Sequence, residues 1–149
     1  MAQSRATVLI TGGAKRIGAA IARDLAGHGF AVAIHCSQSR EAAENLADEI
    51  VRTGGEAHVV QADLQDGAAT RDLIGQTRRA LGVPTILVNN ASVFEDDGIT
   101  DFTDESWDAH FDLHVKAPAL LAQALAGALK DDQEALIVNM IDQRVWRLN

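Results

Sequence analysis

The stretch Thr11-Gly-Gly-Ala-Lys-Arg-Ile-Gly18 follows a β-branched run and opens an amphipathic segment. A strand that enters a glycine-bearing turn and leaves it as a helix is built to hold phosphate. The helix N-terminus offers free N–H groups and the positive end of its dipole, and glycine lets the backbone come close. Lys15 and Arg16 add two cations at the same turn. Three other places carry groups suited to ligand chemistry. Asn89-Asn-Ala-Ser-Val-Phe94 sets amides, a hydroxyl and an aromatic ring after an apolar run, His114 stands four residues before Pro118, and Asp142 follows another apolar run. A ring at Phe94 could stack on a flat heterocycle. A carboxyl at Asp142, buried by ligands, would have its pKa raised and could hold or relay a proton.

These groups need a scaffold, and the hydrophobic pattern supplies one. Residues 7–11 read as a buried strand, and Ile17, Ile21 and Leu25 form the stripe of a helix ended by Gly27 and Gly29. Residues 31–34 make a second strand; Ala42, Ala43, Leu46 and Ile50 mark a second helix, stopped by Gly54-Gly55. Residues 57–61 are a third strand, Ala69, Leu73, Ile74, Thr77 and Leu81 a third helix, and residues 85–88 a fourth strand. After an Asp- and Gly-rich loop over residues 89–104, Trp107, Phe111, Val115, Leu121 and Leu125 predict one long helix before a fifth strand over 135–141. Strict alternation of strands and helices predicts an α/β fold: a doubly wound parallel sheet of strand order 3-2-1-4-5. The ligand crevice of such a sheet opens between strands one and four, where residues 12–18 and 89–94 meet.

Composition narrows the partners. The chain has 149 residues, 47% of them hydrophobic, enough for one globular unit over residues 1–149. A formal net charge of −8 disfavours a broad basic face for nucleic acid. No apolar run approaches the ~20 residues of a bilayer span, and Met1 to Arg5 lacks a signal-peptide core. The single cysteine, Cys36, forms no internal disulfide and fits a reducing compartment, the cytoplasm by default. No metal-ligating set is expected.

Taken together, T-G-x-x-x-R-x-G at 11–18 and N-N-A-S at 89–92 resemble the short-chain dehydrogenase/reductases, whose dinucleotide-binding domain is a Rossmann fold. Glycine is usual in that family where this chain has Arg16, and arginine there is similar to the pteridine reductase branch. The resemblance implies that Thr11, Gly12, Gly13, Lys15, Arg16, Ile17 and Gly18 hold cofactor phosphate, that Asp63 and Leu64 meet the adenine, and that Asn90, Ala91 and Ser92 line the cofactor. It implies further that Arg16, Ser92 and Phe94 hold a pterin-like substrate. Asp142 matches an aspartate of the pteridine reductases where most of the family has a catalytic serine.

His114 stands where the family carries a catalytic asparagine. Pro118 leaves the His114 carbonyl without its helical N–H, so the role of binding a water through the main chain passes to His114. Each position also has a plainer reading: Phe94 as a buried loop anchor, His114 as a packed or solvated histidine beside a shape-making kink, Asp142 as a turn residue.

The family's Y-x-x-x-K pair would fall beyond Asn149, and the chain contains no tyrosine. The expectation is therefore the N-terminal part of a longer single-domain reductase, lacking the last strands and helices and inactive alone. Intact, it would reduce a pterin-like or carbonyl small molecule as a dimer or tetramer built on the helix over residues 107–130. The alternatives are a non-catalytic dinucleotide-binding module and, less well matched by N-N-A-S and Arg16, a sugar-nucleotide epimerase or dehydratase.

The cofactor's phase is also legible. An NAD-preferring protein usually carries an acid after the second strand, whereas here Cys36 is followed by Ser37, Gln38, Ser39 and Arg40, with Lys15 on the facing loop. A 2′-phosphate would meet donors, unless Arg40 is simply a solvated first-turn residue. NADP(H) is the expected cofactor, and the dissociation constant for NADPH should be lower than that for NADH. Tighter binding of NADH in a parallel titration overturns this.

Overall fold

The computed structural model describes residues 5–143; Met1–Ser4, read above as too polar for a secretion signal, and residues 144–149 lie outside the described residues. Five parallel strands, β1 (Thr7–Ile10), β2 (Ala31–Cys36), β3 (Glu56–Gln61), β4 (Ile86–Asn89) and β5 (Leu136–Asn139), form one sheet in the order β3-β2-β1-β4-β5. Between them run α1 (Arg16–Gly27), α2 (Arg40–Arg52), α3 (Gly67–Leu81), α4 (Asp104–Phe111) and α5 (Ala117–Ala128). The order is the one the alternating pattern predicts.

The central strands read as unbroken apolar runs because both faces of the sheet are covered. On one face α1 and α2 set Ala22, Ala43, Leu46 and Ile50 against Val8, Ile10, Val32 and Ile34. On the other, α3 and α5 set Leu73, Ile74, Leu121 and Leu125 against Leu9, Ala33 and Leu87. Leu9 sits in register with Ala33 on one side and Leu87 on the other, so one small and two large residues form a row across the second face. At the β5 edge, Leu136 and Ile137 remain exposed. No helix among the described residues is long and apolar enough to cross a membrane.

Two elements differ from the pattern-based expectation. β2 runs on through His35 and Cys36, both buried, so its polar histidine lies within the strand and does not end it. The long helix over residues 107–125 is instead α4 and α5 joined by a π-helical turn, Asp112–Lys116. Pro118 has no N–H for the His114 carbonyl, and the Ala117 N–H reaches back five residues to the Asp112 carbonyl, widening the turn.

The ends of β1 and β4 are tied together directly. Thr11 Oγ1 accepts the N–H groups of Asn90 (3.0 Å) and Ala91 (3.1 Å), and Asn90 Nδ2 donates to the carbonyls of Thr11 and Gly12, both at 3.0 Å. That closeness excludes side chains. A Cβ on Gly12, whose φ is +60°, would stand 2.9 Å from Ala91 Cα; one on Gly18 would stand 2.6 Å from Asn90 Nδ2 and collide with the Gly12 carbonyl. Gly27, at the far end of α1, has open space at its Cβ position. Gly18→Ala should therefore cost about 1–3 kcal/mol through overpacking, while Gly27→Ala should be neutral or stabilising by up to about 1 kcal/mol. Urea denaturation of the two variants checks the contrast.

Candidate cofactor and substrate site

The glycine turn leaves α1 open at its N-terminus. Lys15 occupies the N-cap position without a side-chain cap bond, and the first turn carries no acidic residue. By comparison, Asp66 caps α3 by accepting from Ala68 N and Ala69 N, and Thr103 and Ser106 form a reciprocal capping box on α4. The uncapped N–H groups of α1, above a cradle that a Cβ at Gly12 or Gly18 would fill, suit a diphosphate. Lys15, Arg16 and Ile17 are exposed around that mouth, and Gly13 is buried beneath it, its N–H on the His35 carbonyl at 2.9 Å.

Arg16 has φ +50°, the only positive φ outside glycine among the described residues. An L-residue in that region costs about 1–2 kcal/mol, and such strain concentrates at functional turns. Here the strained residue is an exposed arginine next to Ile17, which lines the cleft, at a position where glycine would fit without strain.

Past β2, Cys36 lies in the core, and burial pushes its thiol pKa up. Ser37, Gln38 and Arg40 are exposed and Ser39 half-buried, so no carboxylate faces this edge before Glu41. Arg40 Nε donates to Glu44 Oε1 at 2.7 Å and Nη1 to Gln61 Oε1 at 3.0 Å, on the exposed surface. An incoming phosphate competes there with Glu44 for the guanidinium, and an exposed pair of this kind is worth under about 1 kcal/mol. Asp63 Oδ1 accepts the Gln65 N–H, leaving its second oxygen at an exposed loop, and Leu64 is buried at the cleft wall.

A cleft of about 800 Å³ opens where the β1 and β4 ends separate from the π turn. Thr11, Ile17, Leu64, Asn90, Ala91, Ser92, Phe94, His114 and Asp142 all line it. Lys15, Arg16, Ser37, Ser39, Arg40 and Asp63 do not, and neither do Gly12, Gly13 and Gly18, although Gly12 and Gly18 pack closely against Asn90. Phe94 is 73% exposed, so it is not the buried anchor of the plainer reading.

His114 turns its ring toward the loop after β4: Nε2 lies 3.3 Å from Ser92 Oγ and accepts the Val93 N–H at 3.4 Å. Its neighbour His110 sits with ring centroids 5.7 Å apart and Nδ1 on the Ser106 carbonyl. Partial desolvation, then the His110 imidazole, hold the His114 pKa below its ordinary value. Sequence reasoning weighed His114 but missed His110, which lines the same cleft one helical turn earlier; its i, i+4 spacing from His114 was the available signal. It also missed the Asn89–Asn139 amide pair at 2.8 Å, which pins β4 to β5 at the cleft floor.

A family model for the short chain dehydrogenases matches residues 6–143. The chain belongs to this family. Among solved structures, FolM alternative dihydrofolate reductase 1 from Brucella canis, in complex with NADP, is 49% identical with a TM-score of 0.92, covering 98% of this chain and 58% of that one. A short chain dehydrogenase from Burkholderia cenocepacia, also with NADP, is 33% identical with a TM-score of 0.89, over 99% of this chain and 59% of its own. Among curated proteins, an uncharacterized oxidoreductase of Methylorubrum extorquens is 32% identical over 89% of this chain and 54% of its own length. A 3-oxoacyl-[acyl-carrier-protein] reductase, FabG, of Staphylococcus epidermidis is 28% identical over 90% and 55%. The chain thus spans about half the length of the curated relatives it matches.

The strain at Arg16 is testable by itself. Arg16→Gly should leave stability within about 1 kcal/mol, because relief of the positive φ offsets the entropy of glycine in the unfolded chain. Arg16→Val, β-branched at the same φ, should lose about 1–2 kcal/mol. Denaturation midpoints compared with the parent check both, and a valine variant as stable as the parent overturns the strained conformation.

Proposed function

We propose that the full-length protein is an NADPH-dependent reductase that delivers hydride to a pterin-like substrate in the cleft. The observation that carries this reading is the convergence of Ser92, Phe94, His114 and Asp142 on one cleft that Ile17, the neighbour of Arg16, also lines. The similarity to proteins named alternative dihydrofolate reductase, crystallised with NADP, supports the same substrate class.

Bound at the turn, NADPH supplies the hydride, the protein supplying orientation and the proton. The α1 N–H groups and Lys15 neutralise the diphosphate, Ser37, Ser39 and Arg40 receive the 2′-phosphate, and Asp63 with Leu64 holds the adenine end. Asn90 and Ala91, fixed on Thr11, would line the nicotinamide end. Phe94 gives a flat ring an aromatic face, and Ser92 and Arg16 offer donors at its polar edge. Asp142, three residues past β5, would hold a proton for the reduced bond. His114 keeps Ser92 oriented, and its main-chain carbonyl, which gets no N–H from Pro118, is the group that would take a water at the π turn. We further propose self-association through α4 and α5. Phe102, Trp107 and Phe111 stack there in the open, with centroids 5.5 and 4.5 Å apart.

NADPH oxidation by the full-length protein with dihydrobiopterin or dihydrofolate tests the substrate, with simple carbonyl compounds run alongside. Turnover of dihydropterin is expected. Phe94→Ala should raise KM about tenfold for loss of stacking, and Asp142→Asn should lower kcat about 100-fold for loss of the proton. Turnover of carbonyls without dihydropterin, or an Asp142→Asn variant with parental kcat, overturns the assignment.

A further inference from the structure

His35 is a buried titratable group that none of the chemistry above uses. It lies near the end of β2, 2% exposed, in a strand that otherwise reads as apolar. Both ring nitrogens are occupied: Gly12 N donates to Nδ1 at 3.1 Å, and Nε2 lies 3.1 Å from the Ala62 carbonyl oxygen. Gly12 brings an N–H and so requires an acceptor, whereas Ala62 brings a carbonyl and requires a donor. One state of the ring satisfies both, the neutral imidazole with its proton on Nε2. The same residue takes the Gly13 N–H on its main-chain carbonyl at 2.9 Å, so the glycine turn hangs from His35 at two consecutive amides.

We propose that His35 is a positioning residue for the cofactor site, its ring fixing the separation between the glycine turn and the Ala62–Leu64 loop by bridging Gly12 to Ala62. This rests on the reading that these two loops hold the diphosphate and the adenine of NADPH. The bridge also reaches the third cofactor-facing loop, because the Gly12 carbonyl accepts from Asn90 Nδ2. A ligand laid across the three loops meets a spacing set in advance, so less of its binding energy is consumed in ordering them.

A second proton on the ring would turn Nδ1 into a donor aimed at the Gly12 N–H, with no room for water to relieve it. Burial holds the His35 pKa below its ordinary value, against the opposing pull first of the Ala62 carbonyl and then of Asp63. Around it, Cys36 and Arg40 follow on the same segment, Lys15 and Arg16 stand exposed on the turn, and His58 is exposed on β3. Asp72 on α3 is engaged by Gln76 and Arg79. Because the folded value is depressed, the neutral bridge is fully favoured above the ordinary value of about 6.5 and opposed progressively as the pH falls below it.

The test uses the full-length protein, reading the NADPH dissociation constant between about pH 8 and about pH 5.5. Asn places an oxygen near the Nδ1 position and keeps only the Gly12 end of the bridge, whereas Gln reaches toward Ala62 and keeps only that end. Both His35→Asn and His35→Gln should bind NADPH about tenfold more weakly at neutral pH, without the parent's further loss of affinity in acid. Parental affinity in either variant, or a parent-like pH profile in both, overturns the proposal. The ¹⁵N shifts of the parent's His35 ring need no variant: protonated Nε2 with bare Nδ1 is expected, and a proton on Nδ1 at neutral pH overturns the bridge. Parent protein that bound no NADPH would bring down the cofactor reading itself, an outcome distinct from a failure of His35 alone.

Discussion

The fold depends on one small knot at the carboxyl end of its sheet, the four hydrogen bonds between Thr11 and Gly12 on one side and Asn90 and Ala91 on the other. Neighbouring parallel strands normally diverge after their last ladder bond, and a crevice at the switch point is the result. Here the divergence is arrested for two residues by side-chain groups imitating a ladder. Thr11 Oγ1 serves as acceptor for two amides, and the Asn90 amide returns two donors to the opposite backbone. Bonds of this kind are worth little individually in water, yet leaving any of these part-buried groups unpaired costs about 1–3 kcal/mol. The knot is therefore satisfied as a whole or fails as a whole, and it draws the chains close enough that Gly12 and Gly18 tolerate no Cβ.

Above and below that level the structure follows opposite rules. Beneath it most buried polar side chains are paired: Thr7, Thr70 and Thr77 have their hydroxyls on carbonyls and His35 has both nitrogens occupied, with Asn89 Oδ1 the exception among the described residues. At the rim, α1 starts without a cap, Arg16 sits in a costly backbone region and Phe94 stands in the open. A rigid floor permits this, since strain at the mouth is absorbed by a core that has no alternative packing. Potential for binding is concentrated in the layer that a ligand can reach.

How much of this the sequence disclosed depends on whether the signal is local. Strand order, the crevice and the glycine turn followed from apolar runs and glycine spacing, which report a residue's own surroundings. The family resemblance singled out Ser92, Phe94, His114 and Asp142, and the structure sets all four around one cleft. What stayed hidden was pairwise. His35 fell just past the strand expected over residues 31–34 and drew no notice, because its partners at Gly12 and Ala62 are far off in sequence. The split of the long helix was only half legible: Pro118 disclosed the orphaned His114 carbonyl, but not the response, a five-residue reach from Ala117 to Asp112. Periodicity at helical spacing survives a π turn almost unchanged, so it could not report one.

That π turn explains why two departures from the family pattern occur together. The family's N-N-A-G becomes N-N-A-S, and its asparagine on the following helix becomes His114. Read singly, each substitution removes something: glycine's freedom in one case, an amide in the other. In three dimensions they form one contact, the Ser92 hydroxyl and the Val93 amide meeting the same Nε2. An imidazole reaches further than an asparagine amide, and a π turn widens the backbone where the ring departs. The wider turn, with Pro118 offering no N–H to the His114 carbonyl, accompanies a ring that holds the loop after β4. One residue thus keeps two groups in the cleft, and the serine beside it gains a fixed orientation that glycine could not have used.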